Sequence, residues 1–188
     1  MDKSQIKIAL REGLEETITK VSIFDFDGTL VDSPIPDGRD AETNNPTSKE
    51  YKENTGQDWP FKGWWGRGES LDMEAFNIPQ ISSTIADYNE ERSKPNTLVV
   101  MMTGRIPKIS EHVEKILNKY NLKFDDYIYN NKGATLDFKI KVLEDYLTIY
   151  PNLREIEMWE DRVAHTKAFR EWGANKNIEM IVNQVWNI

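Results

Sequence analysis

The sequence predicts an α/β fold, a doubly wound parallel sheet with helices on both faces. Two observations predict it. From about residue 97 onward, strand-like and helix-like stretches alternate along the chain, the pattern of βα units. The strand-like stretches also end in polar, reactive groups, and in sheets of this kind ligands sit at the carboxyl ends of the strands.

In chain order, residues 4–16 place Ile6, Leu10 and Leu14 at helical spacing. Residues 20–26, KVSIFDF, read as a short β-branched and aromatic strand, followed at once by Gly28. From Ser33 to about Asn77 the pattern breaks down into turn chemistry (SPIPDGRDAETNNPTSKEY) and an aromatic, glycine-rich stretch (DWPFKGWWGRGES). Residues 80–92 read as a helix with Ile81, Ile85 and Tyr88 in one row, and Thr97–Met102 is a continuous apolar strand. A helix over 107–120 carries Ile109, Val113, Ile116, Leu117 and Tyr120 on one face. The remainder reads as a strand at 126–130, a helix over 136–150 capped by Thr135, and a strand at 155–159. A helix over 163–172 stopped by Gly173 and a last strand at 178–185 complete it. The expected organisation is a core of residues 1–32 and 78–188, with 33–77 as a small insert, or cap, rather than a separate domain.

Composition excludes several chemistries. The chain has 188 residues, 24 Lys plus Arg against 32 Asp plus Glu, and a net charge of −8, which argues against a broad basic surface for duplex nucleic acid but leaves room for a local basic groove. With no cysteine there is no disulfide scaffold, cysteine-ligated zinc or cysteine nucleophile, and two histidines, His112 and His165, make a histidine-rich metal site a poor reading. Both histidines sit among charged neighbours and read as surface residues. No apolar run approaches the ~18 residues of a membrane span, and residues 1–16 lack a signal-peptide apolar stretch. The expectation is a cytoplasmic protein without membrane partners.

The reactive groups cluster at strand ends. The first strand ends in Asp25, with Asp27 two residues on; the 97–102 strand ends in Thr103-Gly104-Arg105; the 155–159 strand ends in Glu160-Asp161-Arg162. A lone aspartate at a strand end is ordinarily a cap or turn residue. Together on one rim, Asp25, Asp27 and Asp161 would repel one another, since two carboxylates ~4 Å apart cost roughly 4 kcal/mol at an effective dielectric of 20. That crowding becomes favourable around a hard divalent cation, and an all-oxygen set suits Mg²⁺. Lys139 heads an apolar row with Leu143, Tyr146 and Tyr150, so it faces inward near the rim and needs an anionic partner. Its neighbour Lys141 has Glu144 and Asp145 at i+3 and i+4 and lies on a solvated face. Arg105 and Arg162, each at a strand-to-helix turn, read as surface ion pairs.

The segment DFDGTL at 25–30 resembles the first motif of the haloacid dehalogenase (HAD) superfamily of phosphohydrolases. Thr103 in VVMMTGR, Lys139 in TLDFK and Glu160–Asp161 in WEDR follow in the order of its second, third and fourth motifs. Within the superfamily, TGR and EDR are similar to the SGR and DDR of polynucleotide 3′-phosphatases. GWWGRGESLD and TLDFK resemble the HAD domain of Swiss Army Knife RNA repair-like proteins. Residues 37–60 match nothing in these families, and position 160 is Glu where many relatives have Asp. The resemblance implies a Rossmann-like HAD fold and a Mg²⁺-dependent phosphomonoesterase. It implies Asp25 as nucleophile forming an aspartyl-phosphate, Asp27 as general acid and base, Thr103 and Lys139 on the phosphoryl group, and Asp25, Asp27 and Asp161 as metal ligands with Glu160 as helper. Its substrate would be phosphorylated, with a nucleic-acid end as the finer reading and Gly104, Arg105, Trp64 and Trp65 as substrate-binding residues. The alternatives are a phosphatase for nucleotides or sugar phosphates, and a non-catalytic module that binds phosphorylated ends or a protein. Trp59, Trp64 and Trp65, with Phe61, Lys62 and Arg67, form either the insert's own small core or a stacking wall beside the site. Adjacent Trp64 and Trp65 cannot both point the same way in an extended chain, so one is expected to pack inward and the other to face the site.

Overall fold

The structure, a computed structural model, describes residues 17–186. The helical reading of residues 4–16 lies outside the described residues. Five strands, β1 (Lys20–Phe24), β4 (Thr97–Thr103), β5 (Asp126–Tyr129), β6 (Glu155–Glu160) and β7 (Glu179–Gln184), form one sheet in the order β5-β4-β1-β6-β7. Every pairing in it is parallel. Side chains alternate between the two faces. Val21, Ile23, Val100, Met102, Ile156 and Met158 pack under α4 (Thr135–Ile149) and α5 (Val163–Ala174), against Leu143, Tyr146 and Phe169. Phe24, Val99, Met101 and Trp159 pack on the other face with α2 (Ser82–Ser93) and α3 (Ser110–Lys119), against Tyr88, Val113, Ile116 and Leu117. Helices on both faces explain why β1 and β4 read as near-continuous apolar runs: neither face meets water.

The predicted strands and helices of the sheet layer are all present, with small shifts at their ends. Two of the expected terminators act differently. Thr135 is the first helical residue of α4 rather than its cap; Ala134 holds the cap position and gives no side-chain bond. Gly173 does not stop α5, which runs on to Ala174. It serves instead as a packing gap, since a Cβ there would lie 2.3 Å from Met180 Cβ on β7.

The segment between β1 and α2 is not wholly irregular. It holds a short antiparallel pair, β2 (Gly38–Arg39) with β3 (Pro46–Thr47), the helix α1 (Lys49–Thr55) and a single 3-10 turn at Gly68–Leu71. Ser48 caps α1 by accepting from the Tyr51 N–H, and Gly56 closes it in the left-handed region. The segment leaves and returns at one place: the Asp32 N–H donates to the Pro79 carbonyl (2.9 Å) and the Ile81 N–H to the Leu30 carbonyl (3.0 Å). Its aromatics Tyr51, Trp59, Phe61, Trp64 and Phe76 stack on one another and join the same apolar cluster as the α2–α3 face of the sheet. Among the described residues, no helix is long and apolar enough to cross a membrane.

Candidate active site

β1 lies at the centre of the sheet, with β4 on one side and β6 on the other. The chain builds β4 and β5 first and then crosses to β6 and β7, so the crevice at the carboxyl end of β1 is the topological switch point where such sheets bind ligands. Asp25 is the first residue beyond β1, Thr103 the last of β4 and Glu160 the last of β6. The turn after Asp25 needs a left-handed residue, and Gly28 supplies it at φ 68° while its N–H donates to the Val31 carbonyl (2.8 Å).

Lys139, one turn into α4, is fully buried beneath this rim. Its Nζ lies 3.0 Å from Asp25 Oδ2 and 2.7 Å from Glu160 Oε2. Lys141, two residues on, is exposed and pairs with Asp145 at 3.1 Å. The apolar row behind Lys139 therefore turns it inward, as its spacing implies. Burial disfavours the Lys139 cation, but the two carboxylates outweigh it and raise its pKa. Burial raises Asp25 well above the ordinary carboxylate range, assisted by Glu160, Asp27 and Asp161 and opposed by Lys139. Burial also works against the Glu160 carboxylate, yet Lys139 and the nearby His165 hold it well below that range. Asp161 is pushed up to about 6, by burial first and Glu160 next.

One carboxylate oxygen from each of Asp25, Glu160 and Asp161 lies within 4.8 Å of the others. Asp161 Oδ1 is buried without a hydrogen-bond partner. Three carboxylates offering hard oxygens, one of them the orphaned Asp161, fit a small divalent cation such as Mg²⁺. Glu160 is the most occupied of the three, meeting Lys139 and accepting from the Arg162 N–H (3.2 Å).

The Asp27 carboxylate stands apart from this cluster. Arg105 donates to it from Nε (3.2 and 3.0 Å) and Nη2 (2.8 Å), and the Ser33 hydroxyl donates to its Oδ1 (2.6 Å). Arg105 is only 1% exposed, so it is no surface ion pair; its Nε–Nη2 edge is taken by Asp27. Thr103 is buried, and its Oγ1 accepts from the Arg105 N–H (3.1 Å), which leaves the hydroxyl proton to donate.

A cavity of about 220 Å³ opens over these groups, lined by Asp25, Asp27, Trp65, Gly104, Arg105, Thr135 and Arg162. Gly104 has no room for a side chain, because a Cβ would lie 2.8 Å from Thr135 Cγ2. Trp64 and Trp65 point different ways as expected, but a turn rather than an extended chain divides them: the Arg67 N–H donates to the Trp64 carbonyl (3.0 Å). Trp65 is 43% exposed at the mouth, whereas Trp64 is buried, donates from Nε1 to the Pro34 carbonyl (3.0 Å) and stacks on Trp59. Trp64 therefore belongs to the segment's core and is corrected as a substrate-contacting residue.

Two residues were missed. Thr135, read only as a cap, stands at the mouth; its position four residues before Lys139, on the same helix face, was the available signal. His165, read as a surface residue, is largely buried, with Nδ1 3.5 Å from Glu160 Oε2. No local pattern marks it, because its partner is fixed by the β6–α5 turn. His112 is exposed as expected, but its ring lies over Gly68, where a Cβ would come within 2.3 Å of it.

The family model described as HAD domain family 1 in Swiss Army Knife RNA repair proteins matches residues 60–188. An uncharacterised protein of Saccharomyces cerevisiae is 26% identical over 184 residues, covering 84% of this chain and 38% of the yeast protein. The chain thus spans well under half the length of that relative. No solved structure matches it at a significant level. With a buried lysine between two carboxylates at the carboxyl rim of a β5-β4-β1-β6-β7 parallel sheet, and with the family match running from residue 60 to residue 188, the chain belongs to HAD domain family 1 of the Swiss Army Knife RNA repair proteins, within the HAD superfamily of phosphohydrolases.

Proposed function

We propose that the chain is a Mg²⁺-dependent phosphomonoesterase that works through an aspartyl-phosphate and acts on phosphorylated nucleic-acid ends. The observation that carries this reading is the Asp25 carboxylate at the cavity floor, 3.0 Å from a fully buried Lys139 and within reach of a half-orphaned acidic pair. Nothing structural is gained by burying such a set; a phosphoryl group and a cation would complete it.

Asp25 attacks phosphorus, the bond to the leaving oxygen breaks, and Asp27 gives that oxygen its proton. Asp27, now a carboxylate, then takes a proton from the water that attacks the acyl phosphate, freeing Asp25 and inorganic phosphate. Lys139 and the Thr103 hydroxyl hold phosphoryl oxygens and offset the charge that collects on them. Asp25, Asp161 and the Asp27 backbone carbonyl would hold Mg²⁺, with Glu160 keeping Lys139 and the 160–162 turn in place. Bound there, Mg²⁺ supplies charge neutralisation on the transferring group.

Three features favour a nucleic-acid end over a long duplex. Trp65 presents an exposed indole face at the mouth, Arg162 is exposed beside it, and the chain's net charge of −8 does not suit tracking along a phosphate backbone. The family description names RNA repair proteins. Segment 33–77 acts in this reading as a cap that delivers Trp65 to the mouth. The small cavity is the observation that favours the second reading, a phosphatase for nucleotides or sugar phosphates.

The deciding experiment is a turnover screen with Mg²⁺, comparing 3′- and 5′-phosphorylated oligonucleotides with mononucleotides and sugar phosphates. Oligonucleotide ends should show the highest kcat/KM, and Asp25→Asn should remove turnover while keeping the melting temperature. An Asp25→Asn protein within about tenfold of wild type, or about 1.4 kcal/mol of barrier, refutes the nucleophile. A chain that binds phosphorylated ends without turning them over is a binding module instead.

A further inference from the structure

Among the described residues, Arg105 is the largest of the fully buried side chains, and each of its three guanidinium nitrogens donates to the protein. Nε and Nη2 grip Asp27. Nη1 donates to the Ser70 hydroxyl (2.8 Å) and to the Trp65 carbonyl (3.2 Å). The guanidinium carbon lies 5.0 Å from the centre of the Trp65 ring. Its own backbone is tied at both ends, to Thr103 Oγ1 and, through its carbonyl, to the Asn130 N–H (2.9 Å). A side chain held this way cannot swing out to meet a phosphate.

We propose that Arg105 is a positioning residue: its buried fork aims the Asp27 carboxylate at the leaving oxygen, and the same guanidinium backs the Trp65 ring, so that the acid–base group and the aromatic face of the mouth are held as one unit. This rests on the phosphatase reading of the site. Two parallel N–H···O bonds fix both the distance and the plane of a carboxylate, which a lysine's single point charge does not. As Asp27 gives up its proton, the carboxylate that remains already faces the cation, so no group has to move to receive the charge. Ser33 restricts the same oxygen from the other side. Through Ser70 and the Trp65 carbonyl, segment 65–70 is drawn onto the same fork, which ties its place over the site to the aim of Asp27.

The test uses the dependence on leaving group, because a misaimed acid matters only when the leaving oxygen needs a proton. 4-Nitrophenyl phosphate departs as a stable phenolate; ethyl phosphate departs as an alkoxide that must be protonated. With Arg105→Lys, kcat/KM, which reports the first phosphoryl transfer, should fall about 100-fold for ethyl phosphate. For 4-nitrophenyl phosphate it should stay within about threefold. Ser70→Ala removes one acceptor from Nη1 without touching Asp27 and should change the ratio of the two values in the same direction by a few-fold. Should Arg105→Lys fail to fold, the Ser70→Ala ratio decides. Equal losses on both esters, or an unchanged ratio in the deciding variant, assign Arg105 a purely structural role and overturn the proposal. A wild-type protein inert toward both esters is a different result, because it removes the phosphatase reading itself.

Discussion

Asp161 is the residue of the acidic cluster whose charge is most open to control. Its pKa is pushed up to about 6, by burial and then by Glu160, against about 3.9 in an unfolded chain. Between about pH 4 and 6 the folded protein therefore holds a proton that the unfolded chain has lost, and this group's contribution to stability falls as pH rises through that window. Ligation needs the ionised carboxylate, so the proton competes with Mg²⁺. The rise in melting temperature on adding Mg²⁺ should be small at pH 5 and clearly larger at pH 7.5, and Asp161→Asn should flatten that difference. The same increment at both pH values in the wild-type protein would remove Asp161 from the ligand set. At this scale the sequence was most informative where neighbours along the chain decide orientation. Lys139 was separable from Lys141 because one heads an apolar row and the other sits beside Asp145. The surface readings of Arg105 and His165 and the cap reading of Thr135 failed because their partners lie 78, 5 and 31 residues away and are met only across a turn or a strand gap.

At the scale of elements, Gly173 shows two opposing local rules. In an exposed helix interior, glycine to alanine stabilises by about 1 kcal/mol through backbone entropy. In α5 the added methyl would lie 2.3 Å from Met180 Cβ and 2.6 Å from its Cγ. Met180 Cβ is attached directly to the β7 backbone, so the clash cannot be relieved by rotating a side-chain end. Overpacking should win, and Gly173→Ala should lower stability by about 1–3 kcal/mol, measured by denaturant unfolding. A stabilised Gly173→Ala protein would mean that α5 and β7 can separate at no cost. The strands and helices of the sheet layer were legible because a run buried on both faces and a 3.6-residue stripe are properties of short windows. Their ends were less so. Thr135 and Gly173 look like a cap and a stop by composition, but α4 starts at Thr135 itself and α5 passes through Gly173, because tertiary packing uses one as a wall of the cavity and the other as a gap.

On the scale of the whole molecule, the 33–77 segment shares an apolar cluster with the α2–α3 face of the sheet, and the neighbouring tryptophans divide between that cluster and the mouth. Trp64→Ala should cost about 3–5 kcal/mol by removing a fully packed ring. Trp65→Ala should cost under about 1 kcal/mol in stability and instead raise KM for a phosphorylated oligonucleotide, since base stacking is worth about 1–3 kcal/mol. The same variant should spare 4-nitrophenyl phosphate. Equal loss of stability in both variants, with no discrimination between substrates, would reduce Trp65 to core. By itself the sequence determined the class of fold, the strands and their polar ends, and the buried lysine, because each follows from the order and spacing of residues within a few turns of chain. Only the tertiary structure decided that Arg105 belongs to Asp27, that His165 stands against Glu160, and which tryptophan faces the cavity. The Arg105 and tryptophan placements depend on which strands become neighbours in β5-β4-β1-β6-β7 and on where the 33–77 segment folds back, contacts too distant along the chain to leave a periodic signal. His165 meets Glu160 through the course of the β6–α5 turn, which no helix or strand period sets.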